Sequence, residues 1–181
     1  MDAITLLKND HKTVEKLFKA FEKAGPRAKK AKAETVQSII RELSVHAAIE
    51  EQIFYPAIRA EVPDTESEVL ESLEEHHIVK WVLSELEDMD PDAERFDAKV
   101  TVLIENVRHH VEEEETELFP EVRAALGRKR LGEIGDSMEA AKKTAPTRPH
   151  PRAADTPPSN LVTGAVAGVI DKVQDLTRVG S

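Results

Sequence analysis

The segment HAAIEEQIFYP at residues 46–56 recurs as HVEEEETELFP at residues 110–120, 64 positions further along the chain. Both copies contain a histidine, two adjacent glutamates, an apolar pair and a closing proline. One glutamate follows each histidine at the fourth position, which gives two equivalent pairs: His46 with Glu50, and His110 with Glu114. Because residues four apart lie on one face of an α-helix, each pair is predicted to point in one direction. A repeat this regular indicates two related pairs of helices.

A shorter match precedes each copy of this segment. Asp10-His11 and Glu75-His76 lie 65 positions apart, and each histidine is followed by a valine three positions later and a large apolar residue seven positions later. Each half of the chain is therefore predicted to contain a helix with one histidine, followed by a helix with the His-x-x-x-Glu pair.

Apolar residues spaced three and four apart predict four long helices, at about residues 3–23, 31–60, 66–87 and 93–125. Pro56 lies late in the second helix and is expected to kink it, because proline cannot donate the backbone hydrogen bond there. Gly127 is expected to end the fourth helix. The sequence thus predicts an all-α fold, an antiparallel up-down-up-down four-helix bundle over residues 1–127.

A C-terminal helical extension is predicted to follow the bundle. Residues 128–143 have the pattern of one additional helix. Residues 144–159 contain five prolines and no apolar period, which is typical of a flexible linker. Residues 160–181 regain a helical pattern and form a predicted tail helix, which could dock on the bundle, bind a protein partner or fray.

Composition and charge exclude several classes of function. The net charge is −10 and no basic stripe is present, so nucleic-acid binding is not expected. The absence of cysteine excludes disulfides, zinc–thiolate sites and cysteine nucleophiles. The N-terminus does not have the pattern of a secretory signal, and no apolar run reaches the roughly 18 residues of a membrane span. We therefore expect a cytoplasmic protein that does not bind membranes.

Polar residues interrupt the apolar face of every predicted bundle helix. They are four histidines and two glutamates: His11, His46, Glu50, His76, His110 and Glu114. A buried carboxylate costs several kcal/mol unless it is paired or bound to a metal. A single histidine on an apolar face usually belongs to an ordinary core, but the repeated set favours a dinuclear metal centre in which the two glutamates can bridge the ions.

The residue types leave some choices open. His77 and His109 adjoin two of these histidines, but the apolar neighbours three and four residues away favour His76 and His110. Two further glutamates, Glu51 and Glu115, are second-choice ligands or acceptors for imidazole N–H groups.

At these motifs the sequence resembles the hemerythrin-like proteins, also called HHE cation-binding domains, over about residues 3–125. The resemblance implies a bundle that holds two iron ions with oxo or hydroxo and carboxylate bridges. It implies four histidines as terminal ligands and two glutamates as bridges: His11, His46, His76, His110, Glu50 and Glu114. Imidazole and carboxylate also suit manganese, zinc or copper, so the preference for iron comes from the resemblance.

One position departs from the family pattern. Ser72 lies one turn before His76, where oxygen-carrying hemerythrins have a fifth histidine. The resemblance therefore implies an open position on one iron, which favours reaction with peroxide, oxygen or nitric oxide in oxidative or nitrosative stress over reversible oxygen carriage. Catalase-like activity is one such reaction. Tyr55 is a speculative substitute ligand, although packing beside the site is the preferred interpretation.

Two other functions are also compatible with the sequence. One is a non-catalytic iron or oxygen sensor or store that signals to a protein partner through the tail helix. The other is a structural bundle without metal.

Overall fold

The computed structural model describes residues 1–153 and 166–172, and no strand occurs within these ranges. This confirms the predicted all-α fold. Six α-helices account for most of it: α1 Ala3–Lys23, α2 Lys29–Ile49, α3 Tyr55–Glu61, α4 Glu66–Glu87, α5 Phe96–Glu113 and α6 Phe119–Lys142. A 3-10 turn at Pro63–Thr65 precedes α4. None of the helices in the described ranges is long and apolar enough to cross a bilayer.

The helices pack with their neighbours in sequence, as an up-and-down bundle requires. Helix α1 packs on α2, α2 on α4, and α4 on α5, while α6 returns along α1. The apolar side chains form two separate cores along the bundle, one around Leu7, Ile49 and Leu118 and the other around Val14 and Leu43. The histidine positions lie between these cores, so a polar layer crosses the middle of the bundle.

Two π-helical turns, Glu50–Phe54 and Glu114–Leu118, interrupt the two long helical stretches. Each begins at the glutamate of a His-x-x-x-Glu pair, and each is followed within two residues by a proline, Pro56 or Pro120. Because proline cannot donate the usual backbone hydrogen bond, the wider turn accommodates it. The kink expected at Pro56 is therefore a π turn before the proline, which separates α2 from α3.

The helix bounds differ from the predictions in two other places. The second helix of the second half begins at Phe96 rather than near residue 93, because residues 91–95 form turns and a bend. At Gly127 the backbone leaves helical geometry, with φ 68° and ψ 175°, and helical structure then resumes as far as Lys142. A residue with a side chain would be strained at this positive φ, which explains why glycine occupies the break.

Beyond α6, residues 144–153 lie against the bundle with Ala145, Pro146 and Pro149 buried. The buried Asp171 carboxylate accepts hydrogen bonds from the backbone N–H groups of Thr147 and Arg148, both at 3.1 Å. Residues 166–172 are helical. The rest of the predicted linker and tail helix, at 154–165 and 173–181, lies outside the described residues, and the predicted domain bounds stay predictions.

Candidate metal centre

The six side chains predicted from the sequence lie together in the polar layer, and none is more than 6% exposed. They form two clusters in which candidate ligand atoms lie within 4.8 Å of one another. The first cluster contains His11, His46, Glu50 and Glu114. The second contains Glu50, His76 and His110. Glu50 belongs to both, so one carboxylate joins the two clusters.

The Nε2 atoms of the four histidines face the two central carboxylates, and each carboxylate lies between two imidazoles. Glu50 Oε2 lies 3.1 Å from His46 Nε2 and 3.4 Å from His76 Nε2. Glu114 Oε2 lies 3.3 Å from His11 Nε2 and 3.6 Å from His110 Nε2. His77 and His109, the adjacent histidines that the sequence left open, are exposed and lie outside both clusters.

The Nδ1 atoms face a second set of carboxylates, each from a neighbouring helix. The distances are 2.9 Å for His11–Glu115, 3.6 Å for His46–Asp10, 3.1 Å for His76–Glu51 and 2.7 Å for His110–Glu75. The pairs join α1 to α2, the π turn after α2 to α4, α4 to α5, and the π turn after α5 to α1, so they close a ring around the centre. An N–H donated outward from Nδ1 leaves the Nε2 lone pair directed inward, as a metal ligand requires.

Two of the four carboxylates in this outer ring were predicted from the sequence. Glu51 and Glu115 were predicted as acceptors or second-choice ligands, and the structure places both against Nδ1 atoms. Asp10 and Glu75 were not assigned a role, although each directly precedes a histidine in the repeated motif. Their acidic character at equivalent positions was the signal that could have identified them.

Lysines contact three of the four outer carboxylates. Lys80 donates to Glu51 at 2.8 Å, Lys142 donates to Asp10 at 2.6 Å, and Lys8 lies 3.3 Å from Glu115. Burial alone would raise the pKa of Glu51, but hydrogen bonds and charge from His76 and Lys80 hold it below its ordinary value. The same balance lowers the pKa of Asp10 and of Glu115, so these groups stay ionised and accept imidazole N–H groups.

Several buried polar atoms at the centre have no hydrogen-bond partner: His11 Nε2, His46 Nδ1, both carboxylate oxygens of Glu50, and Glu114 Oε2. Unpartnered buried groups are costly, and buried carboxylates most of all. Burial raises the pKa of Glu50 well above its usual range, and the nearby Glu114 charge raises it further. Cations between the two central carboxylates would satisfy the inward-facing atoms, which are all of these except the outward-facing His46 Nδ1. The donor set therefore fits a pair of metal ions with nitrogen and oxygen ligands.

The protonation of two of the histidines is also suited to coordination. Burial lowers the pKa of His46 to about 4 and also lowers the pKa of His76. Both imidazoles are therefore neutral near pH 7, and a neutral imidazole is the form that binds metal. For His110, burial would lower the pKa, but the charges of Glu114 and Glu75 raise it instead.

The two halves of the site differ at one equivalent position. The Tyr55 hydroxyl donates to Glu114 Oε1 at 3.0 Å and lies 3.5 Å from His76 Nε2. Its counterpart 64 residues later is Phe119, whose ring stacks on His11 with centroids 5.9 Å apart. Burial, together with the Glu114 and Glu50 charges, raises the pKa of Tyr55, so the phenol keeps its proton near pH 7. Ser72, which is 7% exposed, donates to the Glu68 carbonyl.

The outer ring supports a testable prediction about metal affinity. We expect Glu115→Gln to weaken metal binding by about 10- to 100-fold, because the amide is a poorer acceptor for the His11 Nδ1–H. The affinity is measured by competition with a chelator of known affinity. Glu112→Gln, an exposed change one turn earlier, is the matched control and should leave the affinity unchanged. Equal affinities for the two variants would contradict a role for the ring.

Comparisons with known proteins identify the family of this chain. The family model of the hemerythrin HHE cation-binding domain matches residues 2–122. An uncharacterised hemerythrin-like protein of Schizosaccharomyces pombe is 31% identical over 136 residues, which cover 75% of this chain and 67% of that protein. A protein of Nostoc named DNA nickase is 27% identical over 142 residues, which cover 78% of this chain but 39% of the nickase.

A solved structure shows the same fold. The crystal structure of a hemerythrin HHE cation-binding domain-containing protein from Mycobacterium kansasii matches with a TM-score of 0.68 at 22% identity, and the match covers 79% of this chain and 86% of that one. The family match spans the paired His-x-x-x-Glu motifs and both single-histidine helices. The chain therefore belongs to the hemerythrin family of HHE cation-binding domains.

Proposed function

We propose that this protein holds two iron ions in the polar layer and uses them to react with peroxide, oxygen or nitric oxide. The proposed ligands are the four inward-facing histidines and the two central glutamates: His11, His46, His76, His110, Glu50 and Glu114. The observation that carries the proposal is the position of the two buried carboxylates, whose oxygens lie between four Nε2 atoms. Neither oxygen of Glu50 has a hydrogen-bond partner.

The two proposed ion positions are unequal, and this supports reactivity at one of them. The first cluster offers two imidazoles and two carboxylates, whereas the second offers two imidazoles and Glu50. Ser72 provides no imidazole beside the second cluster, where the Tyr55 hydroxyl lies instead. An ion with fewer protein ligands keeps a position for an exogenous molecule, as catalytic metal sites do.

A small apolar cavity next to the histidines suits a small neutral molecule. Its volume is about 30 Å³, and its walls include all four histidines together with Val14, Val79 and Val107. A space of this size holds a molecule about as large as one water. When bound, an iron pair can exchange electrons with an oxygen or nitrogen species at the open position. The valines keep bulk water away, and Tyr55 can hold or supply a proton beside Glu114 Oε1.

Catalase-like turnover is the reaction that we propose to test first. Two peroxide molecules would yield two waters and one oxygen molecule, which an oxygen electrode detects directly. Iron-loaded protein should evolve oxygen from peroxide, and titrations with oxygen and nitric oxide on the same sample rank the other reactants. Full iron content without oxygen evolution would rule out this turnover while leaving the metal site intact.

Tyr55 provides a sharper test of the same reaction. We expect Tyr55→Phe to keep the iron content of the wild type but to slow peroxide turnover by about 100-fold, the effect typical of losing a positioned proton donor. The iron content serves as the internal control for folding and metal uptake. Unchanged turnover with full iron would exclude a role for this hydroxyl in the reaction.

A non-catalytic iron or oxygen sensor or store is the second candidate. The observation that favours it is Lys142, because this residue of the C-terminal extension donates to both oxygens of Asp10 and so reaches the His46 side of the centre. A cytoplasmic partner could then read the state of the iron through the tail. Removal of the tail should change partner binding or iron retention, and no effect on either would argue against this candidate.

A further inference from the structure

A third group of potential metal ligands lies on the surface, outside the buried centre. Glu75 of α4 and His109 and Glu113 of α5 place candidate ligand atoms within 4.8 Å of one another. His109 Nε2 lies 3.2 Å from Glu113 Oε1, and the three side chains are 24%, 66% and 40% exposed in the order given. One imidazole and two carboxylates at the surface form a group that solvated divalent cations can reach.

Among the described residues, no lysine contacts Glu75, unlike the other members of the outer ring. The other three outer carboxylates are contacted by Lys8, Lys80 and Lys142. A lysine ammonium lies beside each of the other three carboxylates. Glu75 instead has the His109 imidazole and the Glu113 carboxylate nearby, and these groups together can bind a cation.

An acidic cavity of about 50 Å³ has a residue of the surface group and a residue of the buried centre on its wall. It is lined by residues of α4, α5 and the second π turn: Glu68, Glu71, Ser72, Glu113, Glu114, Glu117 and Leu118. Glu113 belongs to both the surface group and the cavity wall. Glu114, which belongs to the buried centre, also lines the cavity; it is 1% exposed and its Oε2 has no hydrogen-bond partner. A buried Glu68 oxygen on the same wall is also unpartnered.

We propose that Glu75, His109 and Glu113 form an outer divalent-cation site that captures Fe²⁺ and passes it along this cavity to the buried centre. The inference rests on the proposed function, because the buried centre is the destination. Three protein ligands leave the rest of the coordination shell to water, so the ion is held weakly enough to leave. The carboxylates along the cavity keep the path attractive to cations while the ion loses its water ligands.

The outer site is tested with Mn²⁺ on the iron-loaded protein, in which the buried centre is already filled. Electron paramagnetic resonance of free Mn²⁺ should show one additional ion bound per chain in the wild type. Loss of a direct ligand is expected to weaken this binding by at least as much as loss of an outer partner, so His109→Ala should weaken it about tenfold or more. His77→Ala, which removes another exposed histidine, is the matched control and should bind Mn²⁺ as the wild type does.

The transfer role is tested by the rate at which the metal-free protein takes up Fe²⁺. Stopped-flow absorption should show about tenfold slower uptake in His109→Ala and in Glu113→Gln, as expected when a site that concentrates cations is lost. Both variants should reach the final iron content of the wild type, and His77→Ala should load at the wild-type rate. Wild-type uptake rates in the two variants would overturn the transfer role, and unchanged Mn²⁺ binding would overturn the site.

A failure of the buried centre gives a different result. A wild type that binds the surface Mn²⁺ but takes up no iron would overturn the proposed function and the transfer role, and would support the outer site alone.

Discussion

Replacement of Glu50 by glutamine is expected to reduce the iron content of the purified protein from about two atoms per chain to a small fraction of one. Glu50 is the residue common to both clusters, and it supplies two unpartnered oxygens. An amide of the same shape offers one neutral oxygen and no negative charge. Both ions would therefore lose the carboxylate charge that compensates for the free-energy cost of their dehydration. Elemental analysis after anaerobic reconstitution with Fe²⁺ measures the effect.

The control for this variant is Glu112→Gln, which removes an exposed carboxylate from the same protein. It should retain the full iron content. If Glu50→Gln also retained two irons per chain, the assignment of Glu50 as the shared ligand would be wrong, and the nearby Glu51 would become the first alternative.

Metal binding is expected to raise the thermal stability of the wild type strongly. A ligand present at about 1,000 times its dissociation constant stabilises the folded state by about 4 kcal/mol. For a chain of this length, that corresponds to a rise in Tm of roughly 10 °C. Calorimetry of metal-free and iron-loaded samples at equal protein concentration measures the shift. A Tm that does not change on iron loading would contradict a metal centre inside the bundle.

The same measurement on Glu50→Gln separates function from stability. Burial and the Glu114 charge raise the pKa of Glu50 well above its ordinary value, which favours the protonated carboxyl in the metal-free protein. Glutamine resembles the protonated acid in shape and charge, so metal-free Glu50→Gln should be at least as stable as the metal-free wild type. The variant should gain nothing from iron. A large loss of stability in the metal-free variant would instead indicate a structural role for the carboxylate.

The features that the sequence predicts are those that depend on helical periodicity. The bounds of α1 and α4 agree with the predictions, because capping and breaking residues stand at their ends. Asp2, for example, caps α1 by accepting the Thr5 backbone N–H at 3.0 Å. The choice of His76 over His77 also follows from apolar neighbours one turn away, and the structure buries the first and exposes the second.

The features that the sequence does not predict depend on contacts between helices. A 3.6-residue period does not distinguish an α-helix from a π turn, so the interruptions that begin at Glu50 and Glu114 were not foreseen. The role of Asp10 depends on where α1 meets α2. The contact of Lys142 with Asp10 joins residues 132 positions apart, and no local pattern indicates it.

If two iron ions lie between the paired His-x-x-x-Glu motifs, as we propose, the iron content and the absorption spectrum of the protein will both reveal them. Iron content and the absorption spectrum are recorded together on the oxidised wild-type protein after reconstitution with Fe²⁺. We expect about two irons per chain and the near-ultraviolet charge-transfer bands of an oxo-bridged ferric pair. A folded, helical protein that retains only background iron and shows no such bands would rule out the proposed iron centre.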